Sequence, residues 1–312
     1  MHTDVSTIEI RAAADRIAGH VRQTPVIALE EGALASPARV SLKLELLQHT
    51  GSFKPRGAFN RLLSSDVPHA GVIAASGGNH GIAVAFAARE LGYRAEIFVP
   101  ISASPVKVER LRALGATVHQ VGSEYAMALA AAESRQRETG ALSVHAYDQP
   151  ATVAGQGTVA LEWEAQAGLP DTVLIAVGGG GLIAGILHWW QRRVRVIGVE
   201  PERCPTLFKA RAAGAPIDIE VGGRAADSLG ARRIGAIAFD AANRWIEDVV
   251  LVSDDAISAS QQALWHQLRV AAEPGGAAAL AALLSGAYRP LAGERVGVLV
   301  CGGNVDLATL TG

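Results

Sequence analysis

Thr172-Val173-Leu174-Ile175-Ala176-Val177-Gly178-Gly179-Gly180-Gly181-Leu182-Ile183-Ala184-Gly185 reads as three things in succession. A short continuous apolar run with β-branched residues is a strand buried on both faces, the signature of a parallel sheet. Four glycines then turn the chain, and an apolar stretch to Trp190 continues as a helix. Backbone N–H groups in such a turn can approach an anion closely, and the helix dipole favours a phosphate there. Two other stretches repeat the pattern. Gly71–Ala75 runs into Ser76-Gly77-Gly78-Asn79-His80-Gly81 and a helix over Ile82–Leu91, and Val296–Val300 runs into Cys301-Gly302-Gly303-Asn304.

Further strands are expected at Ala95–Val99, Thr117–Val121, Val194–Val199 and Asp248–Val252. Helices are expected at Thr7–Val21, Ser104–Leu114, Glu124–Thr139, Thr158–Ala167 and Asp254–Arg269, with Gly115 and Gly140 as stops. Strands alternating with helical patterns give an α/β fold with parallel sheets, in which ligands sit at the carboxyl ends of the strands. All three glycine-rich turns lie at such ends, so one pocket can gather them.

The chain has 312 residues, about two domains' worth. Hydrophobic residues make up 49% and charged residues 19%, which provides a large core and excludes a disordered chain. Net charge is −2 and aromatic residues are 5%, so neither a polyanion field nor a stacking platform for single strands is present. Nucleic acid and acidic membrane surfaces drop out as default partners. Two cysteines, Cys204 and Cys301, make no disulfide framework, and no CxxC pair exists to hold zinc. The first 21 residues carry acids early and no apolar segment of a secretory signal, and no stretch is long enough to span a membrane. A cytoplasmic protein is the expectation.

Lysine is scarce: of 28 basic residues only Lys43, Lys54, Lys107 and Lys209 are lysines. Arginine carries the generic surface charge, and arginine can neither form a Schiff base nor titrate usefully. Lys54 lies in Gly51-Ser52-Phe53-Lys54-Pro55-Arg56-Gly57, a fixed turn entering a helix. Desolvation among such neighbours lowers an amine's pKa and leaves it nucleophilic. A surface turn lysine is the commoner fate of such a residue. Lys43, on the alternating strand Val40–Leu46, is expected to face solvent, and Lys107 and Lys209 to be surface charges on helices. Asn79 offers both a donor and an acceptor to an oxygen-bearing ring. His80, His145 and His188 have no metal-ligand spacing. Gly179, Gly181 and Ala184 with Glu200 imitate a dinucleotide site, a reading that leaves Lys54 and the Asn79 loop without a task.

The segments Ser52–Ala58, Ser76–Gly81, Gly178–Gly185, Glu273-Pro274 and Cys301–Asn304 together resemble the fold-type-II pyridoxal-phosphate enzymes, and within them the serine/threonine dehydratase and serine racemase branch. The motifs stand in the family's order from residue 51 to residue 304. The resemblance implies a tryptophan-synthase-β-like architecture, with a large cofactor-binding domain of residues 1–59 plus 146–312 and a small inserted domain of residues 60–145. It implies that Lys54 carries the cofactor as a Schiff base and that Phe53 packs beside the ring. Asn79 bonds the 3′-oxygen, Gly178–Gly181 and Leu182 hold the phosphate, and Cys301 meets the pyridine nitrogen. Glu273 adjoins the cofactor, and Ser76, Gly77, Gly78, Asn79 and His80 take the substrate carboxylate.

The implied reaction is β-elimination from a β-hydroxy amino acid of the L-threonine or L-serine type, giving a 2-oxo acid and ammonia in a homodimer. Racemases of this branch carry a serine where this chain has Gly77, so racemisation is expected to be poor. The divalent-cation site of some relatives would use Glu200 with an acid near position 206; this chain has Thr206 there, so metal dependence is not expected, with Glu200 the one candidate ligand. A hydroxyaspartate- or phenylserine-type substrate stays open, with the segment Ala226–Arg232 as a pocket wall. An NAD-dependent oxidoreductase and a non-catalytic binding protein of the same fold are the alternatives.

Overall fold

The structure, a computed structural model, describes residues 5–30, 32–36 and 38–310. Its strands are β1 (Val26–Ala28), β2 (Arg39–Leu44), β3 (Val72–Ala75), β4 (Ala95–Val99), β5 (Thr117–Gln120), β6 (Leu142–Ser143), β7 (Thr172–Ala176), β8 (Arg195–Pro201), β9 (Asp248–Val252) and β10 (Arg295–Val300). The helices are α1 (Thr7–Ile17), α2 (Lys54–Leu63), α3 (Asn79–Glu90), α4 (Pro105–Ala113), α5 (Tyr125–Thr139), α6 (Pro150–Ala167), α7 (Gly181–Trp190), α8 (Thr206–Ala213), α9 (Ala226–Leu229), α10 (Ala236–Trp245), α11 (Asp254–Leu268) and α12 (Pro274–Leu284).

Two sheets result. The larger has the order β1-β2-β10-β7-β8-β9, with only β1 antiparallel to its neighbour. The smaller, β5-β4-β3-β6, is parallel throughout. Every residue of β7 is buried, as is all of β10 after Arg295, because helices cover both faces of the sheet. That is why these strands read as unbroken apolar runs rather than as alternations. Each sheet has its own core: Leu42, Val173, Ile175, Trp190, Leu280 and Val298 belong to the larger, and Phe59, Ile82, Ile97 and Leu111 to the smaller. The mainly parallel α/β architecture is as the sequence indicated.

Two expectations need correction. The helix predicted from Thr158 begins at Pro150, two turns earlier. Gly155 and Gly157 read as breakers, yet they are contact points between helices. A Cβ on Gly155 would lie 2.5 Å from the Arg56 carbonyl on α2, and one on Gly157 2.9 Å from the Gly185 carbonyl on α7. The glycines let three helices cross at backbone distance. Secondly, Lys43 does not face solvent. It is 0% exposed, and its ammonium donates to the Thr24 carbonyl (2.8 Å), Glu162 (2.5 Å) and Gln166 (2.8 Å).

Candidate active site

Three backbone contacts bring the lysine turn against the end of β10. Ser52 bridges Gly302, Phe53 N–H donates to the Cys301 carbonyl at 3.2 Å, and Gly303 N–H donates to the Gly51 carbonyl at 2.8 Å. Lys54 then opens α2, with Pro55 in its first turn, where a missing N–H costs nothing. The Lys54 ammonium donates to the Ala146 carbonyl at 2.9 Å and stands 5.1 Å from the centre of the Phe53 ring. Desolvation pushes its pKa down to about 8, against the pull of Cys301 and Glu273. A lysine at 8 is neutral in a substantial fraction at physiological pH.

The glycine turn follows β7, the strand beside β10. Gly180 is the N-cap of α7 with φ +92°, a conformation L side chains avoid, and no side chain caps the helix. The first-turn N–H groups therefore have no intrahelical partner, and the helix dipole points its positive end into the turn. Tyr147 packs on the turn so closely that a Cβ on Gly179 would come within 2.2 Å of its ring. Tyr147 adjoins Ala146, so one segment touches both the lysine and the glycine turn. Sequence reasoning missed Ala146 and Tyr147, and nothing in the local pattern marks them.

Asn79 begins α3 on the smaller sheet, and Gly78, its N-cap, likewise provides no side-chain cap. The Asn79 amide donates to Glu273 Oε1 at 2.6 Å and accepts from Asn304 Nδ2 at 2.6 Å. Glu273 is buried, and desolvation raises its carboxyl to about 7. The Cys301 thiol is buried and pushed up to about 12 by desolvation first and the Glu273 charge second, so it stays neutral. His80 is buried with Nε2 2.8 Å from the Val144 carbonyl. Burial and the nearby Lys54 charge lower its pKa to about 3, so the ring is neutral and Nε2–H donates to that carbonyl. Its imidazole is thus committed to the protein. Ser76 and Gly77 are half-buried beside it, and Gly78 lies close to the Asp227 carbonyl.

Lys54, Phe53, Asn79, Glu273 and Cys301 are thus gathered at one place, and the glycine turn Gly178–Leu182 is tied to it through Ala146–Tyr147. Glu200 stands apart. It is fully buried beneath α8, where its oxygens accept from the N–H groups of Leu207 (2.7 Å) and Phe208 (2.8 Å). Its burial against α8 turns Glu200 to the start of that helix rather than to the glycine turn at Gly178–Gly181. No three ligating side chains gather among the described residues. Arg233 turns outward to Asp218 at 2.7 Å. Lys107 is only one-third exposed and pairs with Asp227 at 2.5 Å, across the mouth of the site.

An uncapped helix N-terminus for a phosphate, a half-buried amine of lowered pKa, a neutral thiol and an oriented amide form a donor set that fits pyridoxal phosphate. Fold and site together define an enzyme of pyridoxal-phosphate chemistry. Residues 17–302 match the family described as "Pyridoxal-phosphate dependent enzyme", and the chain belongs to it, with pyridoxal phosphate as its cofactor. The phenylserine dehydratase of Ralstonia pickettii is 38% identical over 299 residues, covering 94% of this chain and 91% of that protein. The L-threonine ammonia-lyase of Geobacter sulfurreducens is 38% identical, covering 97% of this chain and 76% of that one. The structure of maize serine racemase superposes with a TM-score of 0.92 at 33% identity, over 98% of this chain and 95% of that chain. No helix among the described residues is long and apolar enough to cross a membrane.

Proposed function

We propose that this chain eliminates water from a β-hydroxy amino acid of the threonine, serine or phenylserine type, releasing a 2-oxo acid and ammonia. The observation that carries the reading is Lys54: an amine with pKa about 8, held at the junction of the two sheets beside a neutral thiol. Bound pyridoxal phosphate supplies an electron sink that acidifies the Cα–H of the amino acid attached to it. The N–H groups of Gly178–Leu182 hold its phosphate, Phe53 packs against its ring, Asn79 bonds its ring oxygen and Glu273 fixes Asn79. Cys301, whose thiol donates to the Gly275 carbonyl at 3.4 Å, would adjoin the ring nitrogen and, being a neutral thiol, would leave it without a counter-charge. A weak sink suits prompt expulsion of a β-leaving group.

Lys54 would take the Cα proton. By the family resemblance Gly77 stands where racemases have their serine base, and with no side chain there to return a proton elimination is favoured over racemisation. The N–H groups opening α3 at Asn79 and His80 would bind the substrate carboxylate; the Gly78 N–H donates to Ser76 Oγ at 3.2 Å, so Ser76, Gly77 and Gly78 shape the loop, and the His80 ring braces it through Val144. The division into residues 1–59 plus 146–312 and residues 60–145 belongs to the same reading, supported by the two sheets, although Ile17, Ala58 and Phe59 pack into the core of the smaller one. A homodimer working in the cytoplasm on small amino acids is the accompanying expectation.

The test is 2-oxo acid release from L-threonine, L-serine, L-threo-3-hydroxyaspartate and L-threo-phenylserine with pyridoxal phosphate supplied. Product from any of them, abolished in Lys54→Ala, is the expected result. D-Serine from L-serine as the dominant product would move the assignment to racemisation. A coloured protein that releases nothing from all four would overturn the lyase reading.

A further inference from the structure

Arg110, on α4, reaches across from the smaller sheet to the loop after β10. Its Nη1 donates to Asn304 Oδ1 at 2.7 Å and its Nη2 to the Thr50 carbonyl at 3.0 Å. Asn304 Nδ2 in turn donates to the same Thr50 carbonyl at 2.9 Å and to Asn79 Oδ1 at 2.6 Å. The chain ends where Asn79 Nδ2 meets Glu273. Gly51 makes room for it: a Cβ there would stand 2.6 Å from Asn304 Oδ1.

The direction of every bond follows from the chemistry of the ends. A guanidinium has donors only, so the Asn304 oxygen must face Arg110. A backbone carbonyl accepts only, so the Asn304 NH2 must face Thr50, and its second hydrogen points at Asn79. That hydrogen demands the Asn79 oxygen, which leaves the Asn79 NH2 turned toward Glu273. The Asn79 amide thus has one allowed flip, set jointly by the Thr50 carbonyl and by Arg110, the cation that a helix of the other sheet supplies.

We propose that Arg110 is a positioning residue: through Asn304 it fixes the orientation of Asn79, and so couples the docking of α4 to the readiness of the cofactor site. The inference rests on the proposed function only for its consequence in the loaded enzyme; the orientation itself belongs to the protein alone. Arg110→Ala removes the donor to the Asn304 oxygen and leaves the Thr50 carbonyl alone to hold the flip, so Asn304 and Asn79 lose half of what orients them. Asn304→Asp is the complementary change. The new carboxylate still pairs with Arg110, so the contact between sheets survives, but it presents an acceptor to the Asn79 oxygen and expels it. Lys107→Ala cuts the neighbouring contact of α4 with Asp227 while leaving every hydrogen bond of the relay in place.

Side-chain amide signals of Asn79 and Asn304 in the cofactor-free protein, recorded by 15N NMR, give the first readout. Arg110→Ala and Asn304→Asp should both shift the Asn79 pair, Arg110→Lys should shift it less, and Lys107→Ala should leave it in place. In the loaded protein, the first two should weaken pyridoxal phosphate binding about tenfold and shift the pH midpoint of its visible band. They should lower kcat more than they raise KM. Asn79 signals that coincide with wild type in Arg110→Ala would overturn the proposal. A wild-type protein with no visible band on adding pyridoxal phosphate would instead overturn the functional reading, and the amide spectra would still decide this one.

Discussion

Lys54 owes its chemistry to its surroundings rather than to its type. An ordinary lysine titrates near 10.5, and desolvation brings this one to about 8. Only the neutral amine attacks an aldehyde, so covalent capture of pyridoxal phosphate by the cofactor-free protein, trapped with borohydride, should rise with pH and level off with a midpoint near 8. A midpoint near 10 would show an amine that water reaches freely, and Lys54→Arg should trap nothing. Gly77 invites a second experiment. A Cβ there meets Val99 Cγ1 at 3.4 Å, Val99 Cβ at 3.8 Å and Ala103 Cβ at 4.0 Å, all ordinary contacts, so Gly77→Ser should fold with stability changed by less than about 0.5 kcal/mol. Expected with it is more D-serine from L-serine; unchanged D-serine in a stably folded variant would place the opposite-face proton donor elsewhere. Lys54 was legible because composition and turn chemistry isolate it, whereas Gly77 drew notice only through the family resemblance. Lys43 was not legible: Val40, Leu42 and Leu44 alternate with Ser41 and Lys43, and alternation means a wet face only when nothing covers it. Here α6 covers that face.

The segment that covers it shows what holds α2, and therefore Lys54, in place. Arg56, two residues after the lysine, donates to both oxygens of Glu45 (2.8 and 2.7 Å) and to Glu162 of α6 (2.9 Å). Lys43 completes a buried set of two cations and two anions, with only Glu162 touching solvent, at 14%. The formal charges cancel, so the cluster is tolerable whole and costly in part. Arg56→Ala strands Glu45, which is fully buried, and should cost about 3–5 kcal/mol in urea unfolding. A loss below about 1 kcal/mol would mean that Glu45 is held as a neutral acid by Thr24 instead. The element pattern was readable where strands are largely buried, as in β4, and β9, only partly buried, also falls at its predicted bounds. It failed at the start of α6, because Gly155 and Gly157 serve close helix crossings, and a crossing is a property of two elements that no single window contains.

At the scale of the molecule, two sheets with separate cores meet at a cleft whose walls hold buried ionisable groups from both sides. Motif order made the cleft's contents legible, while the bonds that cross it, Arg110 to Asn304 and Lys107 to Asp227, join residues more than a hundred positions apart and left no local trace. The burial of these groups has a consequence for the stability of the whole chain. His80 is lowered from 6.5 to about 3, so between those values the unfolded chain binds more protons and stability rises with pH. Glu273 is raised from 4.5 to about 7, so over that window the folded chain binds more protons and stability falls with pH. Each slope is roughly 1.4 kcal/mol per pH unit, of opposite sign, and they overlap between 4.5 and 6.5. Within that overlap the two contributions cancel in the native protein. Glu273→Gln removes one of them. The difference in unfolding free energy, variant minus wild type, should therefore climb with pH across the overlap and flatten above about 7, whatever the surface carboxylates contribute to both. Parallel urea titrations of the cofactor-free proteins at half-unit steps would measure it, and a difference that stays constant with pH would mean that Glu273 is ionised in the fold and that Asn79 faces a carboxylate there.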